Sequence, residues 1–107
     1  MEIPTVTPLE LAQELKVENP PRLLDVREDH ELRISVLPNV IHIPLGDLEA
    51  RLHDLDKGAN WVVICRTGNR SGTATELLLE HGFEHVRNMV KGMNGWAMSV
   101  DETMDMY

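Results

Sequence analysis

One cysteine, one tyrosine and one phenylalanine are all this chain has of those residues, and ten basic residues face eighteen acidic ones. A single thiol, Cys65, excludes an internal disulfide framework and leaves no cysteine pair for a structural zinc site. A lone thiol suits a reducing compartment, so a cytoplasmic setting is expected. The deficit of basic residues leaves a net charge of −8, which repels nucleic-acid backbones and excludes general nucleic-acid binding. No apolar run approaches the roughly 18 residues of a membrane span, so no membrane association is expected. Met1-Glu2-Ile3-Pro4 has neither the basic region nor the apolar stretch of a secretory leader. Repeats and low-complexity segments are also lacking. With 107 residues, 42% hydrophobic and 26% charged, the chain reads as one globular domain, and its charge favours a soluble monomer.

What is present is an alternation of short apolar runs with helical patterns. That alternation predicts an α/β fold with a mostly parallel sheet. Thr7-Pro8-Leu9-Glu10 has a capping residue, a proline at the first helical position and a glutamate at the third. Leu11, Ala12 and Leu15 continue that helix, and Asn19-Pro20-Pro21 ends it. Arg22–Val26 reads as a buried strand, and the charged run 27–33 has room for a short helix. Val40–Ile43 is a second strand closed by Pro44. Asp47 is expected to cap a helix carrying Leu48, Leu52 and Leu55, with Gly58 as its stop. Trp61–Cys65 is the clearest strand. A helix is expected from about Ser71 to Gly82, a short strand at 86–89, and a turn and short helix at 92–100. Trp61 and Trp96 are expected in or near the core. The acidic segment 101–107, with Met104, Met106 and Tyr107, lacks a pattern and is expected to be a mobile tail.

Chemistry concentrates in Cys65-Arg66-Thr67-Gly68-Asn69-Arg70-Ser71. The cysteine ends a buried strand, and a polar loop leads into a helix. In parallel α/β sheets, ligands bind at the carboxyl ends of strands. Loop N–H groups curl into an anion nest, and the following helix adds its own free N–H groups. Gly68 permits backbone geometry that a β-carbon hinders. Helix N-termini and nearby arginines generally favour the thiolate, which is the nucleophilic form of cysteine. A lone cysteine at a strand end is most often a small buried hydrophobe. Two arginines flanking Thr-Gly-Asn shift the balance toward an anion site, with or without covalent chemistry.

Several segments together resemble the rhodanese family. Asp25-Val26-Arg27-Glu28 looks like its "D-V-R-E" signature, and Ile41-His42-Ile43-Pro44 like the strand and proline after it. Cys65–Ser71 is similar to its active-site loop. Leu78–Val86, with Gly82-Phe83, and Gly92–Trp96 resemble its two closing motifs. The resemblance runs in order over residues 5–100, which defines a rhodanese domain at 1–100. The usual glycine and histidine before the second strand are replaced in Ile34–Val40, as in rhodanese domains fused to ubiquitin-activating-type sulfur-carrier enzymes. Lys91 stands where a glycine is common.

The resemblance implies a central, mostly parallel sheet flanked by helices on both faces. It also implies sulfur transfer through a persulfide on Cys65, with no metal and no organic cofactor. Thiosulfate or a persulfide would be the donor. Cyanide, a small thiol, or a thioredoxin-like or sulfur-carrier protein would be the acceptor. Arg70, with Arg66 as a second candidate, would hold the donor's anionic group, and the N–H groups of 66–71 (Thr67, Gly68, Asn69 and Ser71 among them) would surround the persulfide. The histidines at 30, 42, 53, 81 and 85 are read as solvated or structural. Asp25 is expected to be a structural carboxylate paired with an arginine, and Arg27 and Glu28 a surface ion pair near the pocket mouth. A partner-dependent persulfide carrier and a regulatory rhodanese-like binding module are the alternatives. A cysteine-dependent phosphatase or arsenate reductase ranks lower. Those phosphatases carry arginine six positions after cysteine, whereas here Arg70 is five after Cys65 and Ser71 takes the sixth place.

Overall fold

The computed structural model describes residues 2–107. In chain order the elements are β1 (Thr5–Val6), α1 (Pro8–Glu14), β2 (Arg22–Asp25), α2 (Asp29–Leu32), β3 (Ile41–His42), α3 (Leu45–Leu48), which runs on as a 3-10 helix (Glu49–Asp54), β4 (Asn60–Ile64), α4 (Asn69–Glu80), β5 (His85–Met89) and α5 (Gly92–Ser99). The five strands form one parallel sheet in the order β1-β5-β4-β2-β3. The expected α/β architecture with helices on both faces is therefore what the chain adopts.

Strand alternation divides the core into two layers. Trp61, Val63 and Cys65 face one side with Leu24 and Val26, and meet Leu48, Leu52, Ala74 and Leu78 of α3, the 3-10 helix and α4. Val62 and Ile64 face the other side with Leu23 and Met89, and meet Leu11 of α1 and Met93 and Trp96 of α5. Trp61 is wholly buried, and its indole N–H donates to the Asp56 carbonyl at 2.8 Å. β4 is central and covered on both faces, which explains why it reads as an unbroken apolar run. Among the described residues, no helix is long and apolar enough to cross a membrane.

Local chemistry accounts for the element ends. Thr7 and Glu10 close a reciprocal capping box, with Glu10 N donating to Thr7 Oγ1 at 3.1 Å and Thr7 N to Glu10 Oε1 at 2.9 Å. The expected Asp47 cap is not formed. The helix starts earlier, at Leu45 after Pro44, and Asp47 lies within its first turn. Its second half tightens into 3-10 geometry and ends at Leu55, which is already extended, so Gly58 is not the stop. The helix after the cysteine begins at Asn69 rather than Ser71, because Gly68 takes the left-handed conformation, at φ 103°, that turns the chain into it. β1 had no sequence signal. Its two residues pair Thr5 opposite Asn88 and Val6 opposite Met89, and Val6 is buried with Leu11 and Met93.

Candidate active site at the carboxyl end of β4

Cys65 follows the last residue of β4 and is 1% exposed. The Gly68 N–H donates to its Sγ at 3.1 Å, and Ser71 Oγ, in the first turn of α4, lies 3.2 Å from the sulfur. The loop thus bends round the sulfur, which one amide, that of Gly68, and one hydroxyl, that of Ser71, reach. Ser71 Oγ also donates to Asn88 Oδ1, and Asn88 Nδ2 donates to the Gly68 carbonyl at 3.1 Å. Asn88, on β5, therefore braces both ends of the arc that contacts the sulfur. A polar residue inside a short strand, between Arg87 and Met89, is its only trace in the sequence, and the spacing of motifs does not point to it.

From below, the loop rests on the start of α5. Met93 N donates to the Cys65 carbonyl at 2.8 Å and Asn94 N to the Arg66 carbonyl at 3.1 Å. The approach is so close that a β-carbon at Gly92, which sits at φ 55°, would lie 2.5 Å from the Arg66 carbonyl carbon. Glycine is required there on two counts, conformation and space.

The remaining loop residues separate. Thr67 and Asn69 are exposed. Arg70 turns to Glu31 on α2 and makes a two-pronged ion pair, Nη1 to Oε1 at 2.6 Å and Nη2 to Oε2 at 2.8 Å. Those hydrogen bonds hold the Glu31 carboxyl well below the usual carboxylate range and push the Arg70 guanidinium up. Arg66 is exposed and lays its guanidinium over the Tyr107 ring, 5.0 Å from the centroid.

Arg27 corrects the expectation of a surface pair. It is fully buried, its Nε bonds both Asp25 oxygens and its Nη2 reaches Asp25 Oδ2 at 2.8 Å. A further bond from Nη2 to the Ser35 carbonyl, at 2.8 Å, spends more of its donor capacity. Asp25 is thus the arginine-paired structural carboxylate it was expected to be, while Glu28 stays exposed as the residue preceding α2.

The segment 101–107 differs from the free tail expected of it. Asp101 N donates to the Trp96 carbonyl, and Met104 packs on the α1–α5 side of the core. The Tyr107 hydroxyl donates to Glu31 Oε2 at 2.6 Å and accepts from Arg27 Nη1 at 3.0 Å. Burial and the Glu31 carboxylate push the Tyr107 phenol up, so it stays a donor across the ordinary pH range. Glu31 and Tyr107 were both missed. Glu31 left a faint signal, three residues after Glu28 at capping-box spacing. Tyr107 left none.

The profile of the rhodanese-like domain matches residues 7–99. The chain belongs to the rhodanese-like domain family. Among its relatives is the Bacillus subtilis (strain 168) protein named "Putative sulfurtransferase YtwF", 36% identical over 96 residues, covering 90% of this chain and 92% of the relative. Another from the same organism, "Putative sulfur carrier protein YrkF", is 35% identical over 95 residues, covering 89% of this chain but 51% of that protein. A rhodanese-like domain protein from Staphylococcus aureus superimposes with a TM-score of 0.85 at 28% identity, covering 98% and 99% of the two chains. The human single-domain sulfurtransferase TSTD1 gives 0.79 at 26% identity, covering 92% and 98%. A sulfurtransferase or sulfur-carrier role for this rhodanese domain is supported by these matches.

Proposed function

We propose that the protein carries sulfane sulfur on Cys65, taking it from an anionic donor such as thiosulfate and passing it to a thiophilic acceptor. The observation that supports this most directly is the Gly68 N–H aimed at the Cys65 sulfur, with Ser71 Oγ beside it, at a strand end closed by a helix N-terminus. In the first step the Cys65 thiolate attacks the outer sulfur of thiosulfate. A sulfur–sulfur bond forms at Cys65, the sulfur–sulfur bond of thiosulfate breaks, and sulfite leaves with the bonding pair. In the second step cyanide or a thiolate attacks the outer persulfide sulfur, and the Cys65 thiolate is regenerated. This is covalent catalysis with a ping-pong pattern, and it needs no added oxidant. The loop N–H groups surround the terminal sulfur and disperse its charge. A loop one residue shorter than that of cysteine-dependent phosphatases suits a sulfur atom better than a phosphoryl group. The lone thiol fits work in a reducing cytoplasm.

The likeness to a relative named a sulfur carrier favours one variant of this reading, a carrier that exchanges sulfur with a protein partner and turns over slowly with small acceptors. Sulfur transfer from thiosulfate to cyanide, measured beside Cys65→Ser with intact mass for one added sulfur, separates the cases. Turnover and added mass that both disappear in Cys65→Ser are expected. Sulfur uptake with little turnover would identify the carrier. Neither uptake nor turnover would reduce the loop to a docking site.

A further inference from the structure

Four cations stand at or beside the Cys65 loop: Arg27, Arg66, Arg70 and Lys91. Two of them are neutralised within the fold. Arg27 is spent on Asp25, and Arg70 on Glu31. Arg66 directly follows Cys65, and among the described residues its guanidinium has no carboxylate partner and no hydrogen bond to the protein. Its contact is the face of Tyr107. A ring face restrains a long, flexible side chain without cancelling its charge, which a carboxylate would do. The ring itself is firmly held. Its hydroxyl is fixed between Glu31 and Arg27, and its backbone N–H donates to Asn94 Oδ1 at 3.1 Å. Asn94 in turn donates to the Arg66 carbonyl, so the support and the supported residue share a partner.

We infer that Tyr107 is a positioning residue that holds Arg66 as the charged contact for the donor's anionic group, while Arg70 serves Glu31 and the shape of the loop. The inference rests on the sulfur-transfer reading and sharpens it. It assigns donor recognition to the loop amides and Arg66, and it makes the segment 101–107 part of the site. In a chain of net charge −8, one uncompensated guanidinium on the residue after the cysteine sets how strongly a doubly charged donor is preferred over a singly charged one.

The test compares thiosulfate, a dianion, with methanethiosulfonate, a monoanion that delivers the same sulfur and leaves as methanesulfinate. Rates of persulfide formation against donor concentration give KM and kcat, intact mass confirms loading, and melting temperature reports folding. Arg66→Met is expected to raise the KM for thiosulfate about tenfold or more, the scale of a lost charged hydrogen bond, and that for methanethiosulfonate less. Tyr107→Leu is expected to raise the thiosulfate KM about two- to fivefold, the scale of an exposed cation–π contact, with a smaller effect on kcat. Tyr107→Phe, which keeps the ring and loses the hydroxyl, is expected to recover most of that loss. The inference is overturned if Tyr107→Leu leaves the thiosulfate KM unchanged, or if Tyr107→Phe is as impaired as Tyr107→Leu. It is also overturned if Lys91→Met, not Arg66→Met, removes the preference for the dianion. If Tyr107→Leu does not fold, the Arg66→Met and Tyr107→Phe results decide. Absence of sulfur on wild-type Cys65 with either donor overturns the sulfur-transfer reading itself, and this inference with it.

Discussion

Two neighbouring strands end in similar sequences and do opposite things. β2 runs into Asp25-Val26-Arg27 and β4 into Cys65-Arg66-Thr67, each a polar run with an arginine after an apolar strand. After β2 the two buried charges, Asp25 and Arg27, are partners inside the protein. Asp25 and Arg27 are both fully buried, and Arg27 also reaches Ser35 and Tyr107. After β4 the Gly68 N–H and the Ser71 hydroxyl turn in on a sulfur, and the arginine next to it in sequence has only a ring to lean on. Saturated groups make a frame, and unsaturated ones make a site. Arg70 joins the two, being on the loop by sequence and on the frame by its bond to Glu31.

The largest effect is expected where the frame is broken. Arg27→Leu leaves the Asp25 carboxylate buried without its counter-charge, and should destabilise the protein by about 3–5 kcal/mol in urea unfolding. A change under about 1 kcal/mol would mean that Asp25 is satisfied without Arg27. A smaller loss is expected at the joint between frame and site. Arg70→Ala should cost about 1–3 kcal/mol, since Glu31 keeps Tyr107 but loses its two charged donors. If Arg70 instead raises only the donor KM when removed, with stability unchanged, it belongs to the site and not the frame.

The smallest effect is the pH signature of the same bond. The Glu31 carboxyl is held well below its ordinary value of 4.5 by Arg70. Its contribution to stability is therefore full above about pH 4.5, and is lost as the pH falls from there toward its native value. Glu31→Gln should flatten the acid limb of the stability curve below pH 4.5 and leave its slope near neutrality alone. Equal acid slopes in the two proteins would show that other carboxylates govern acid unfolding.

What was legible in the sequence was what is encoded locally. The Thr7–Glu10 box, the apolar run of β4 and the Cys65–Ser71 loop each lie within a few residues; the box forms as expected, the strand is shifted by one residue, and the loop gives way to helix early, at Asn69. β1 was not legible, because two residues carry no period and their position depends on Asn88 and Met89. The 3-10 stretch was read as helix, since Leu48, Leu52 and Leu55 fit either winding. Within the candidate site, the loop that carries the sulfur is legible as a local motif, but the allocation of charge is not. Arg70 meets Glu31 across 39 residues and Tyr107 meets Glu31 across 76, and no spacing rule spans such gaps. Arginine usually lies at the surface, and Asp25 reverses that preference for Arg27 by pairing with it inside the protein.

The pairing of β1 with β5 also sets an order of assembly. Thr5 and Val6 leave the ribosome before any other strand, yet their only ladder partners are Asn88 and Met89. Until those residues emerge, the first strand has nothing to pair with, while β2, β3 and β4 have one another. The pairing of the first strand thus requires the last one, β5. Such long-range closure slows folding relative to local contacts. Asn88, which lies opposite Thr5 in that ladder, also contacts Ser71 and Gly68, so the edge of the sheet and the arc round the sulfur share one residue.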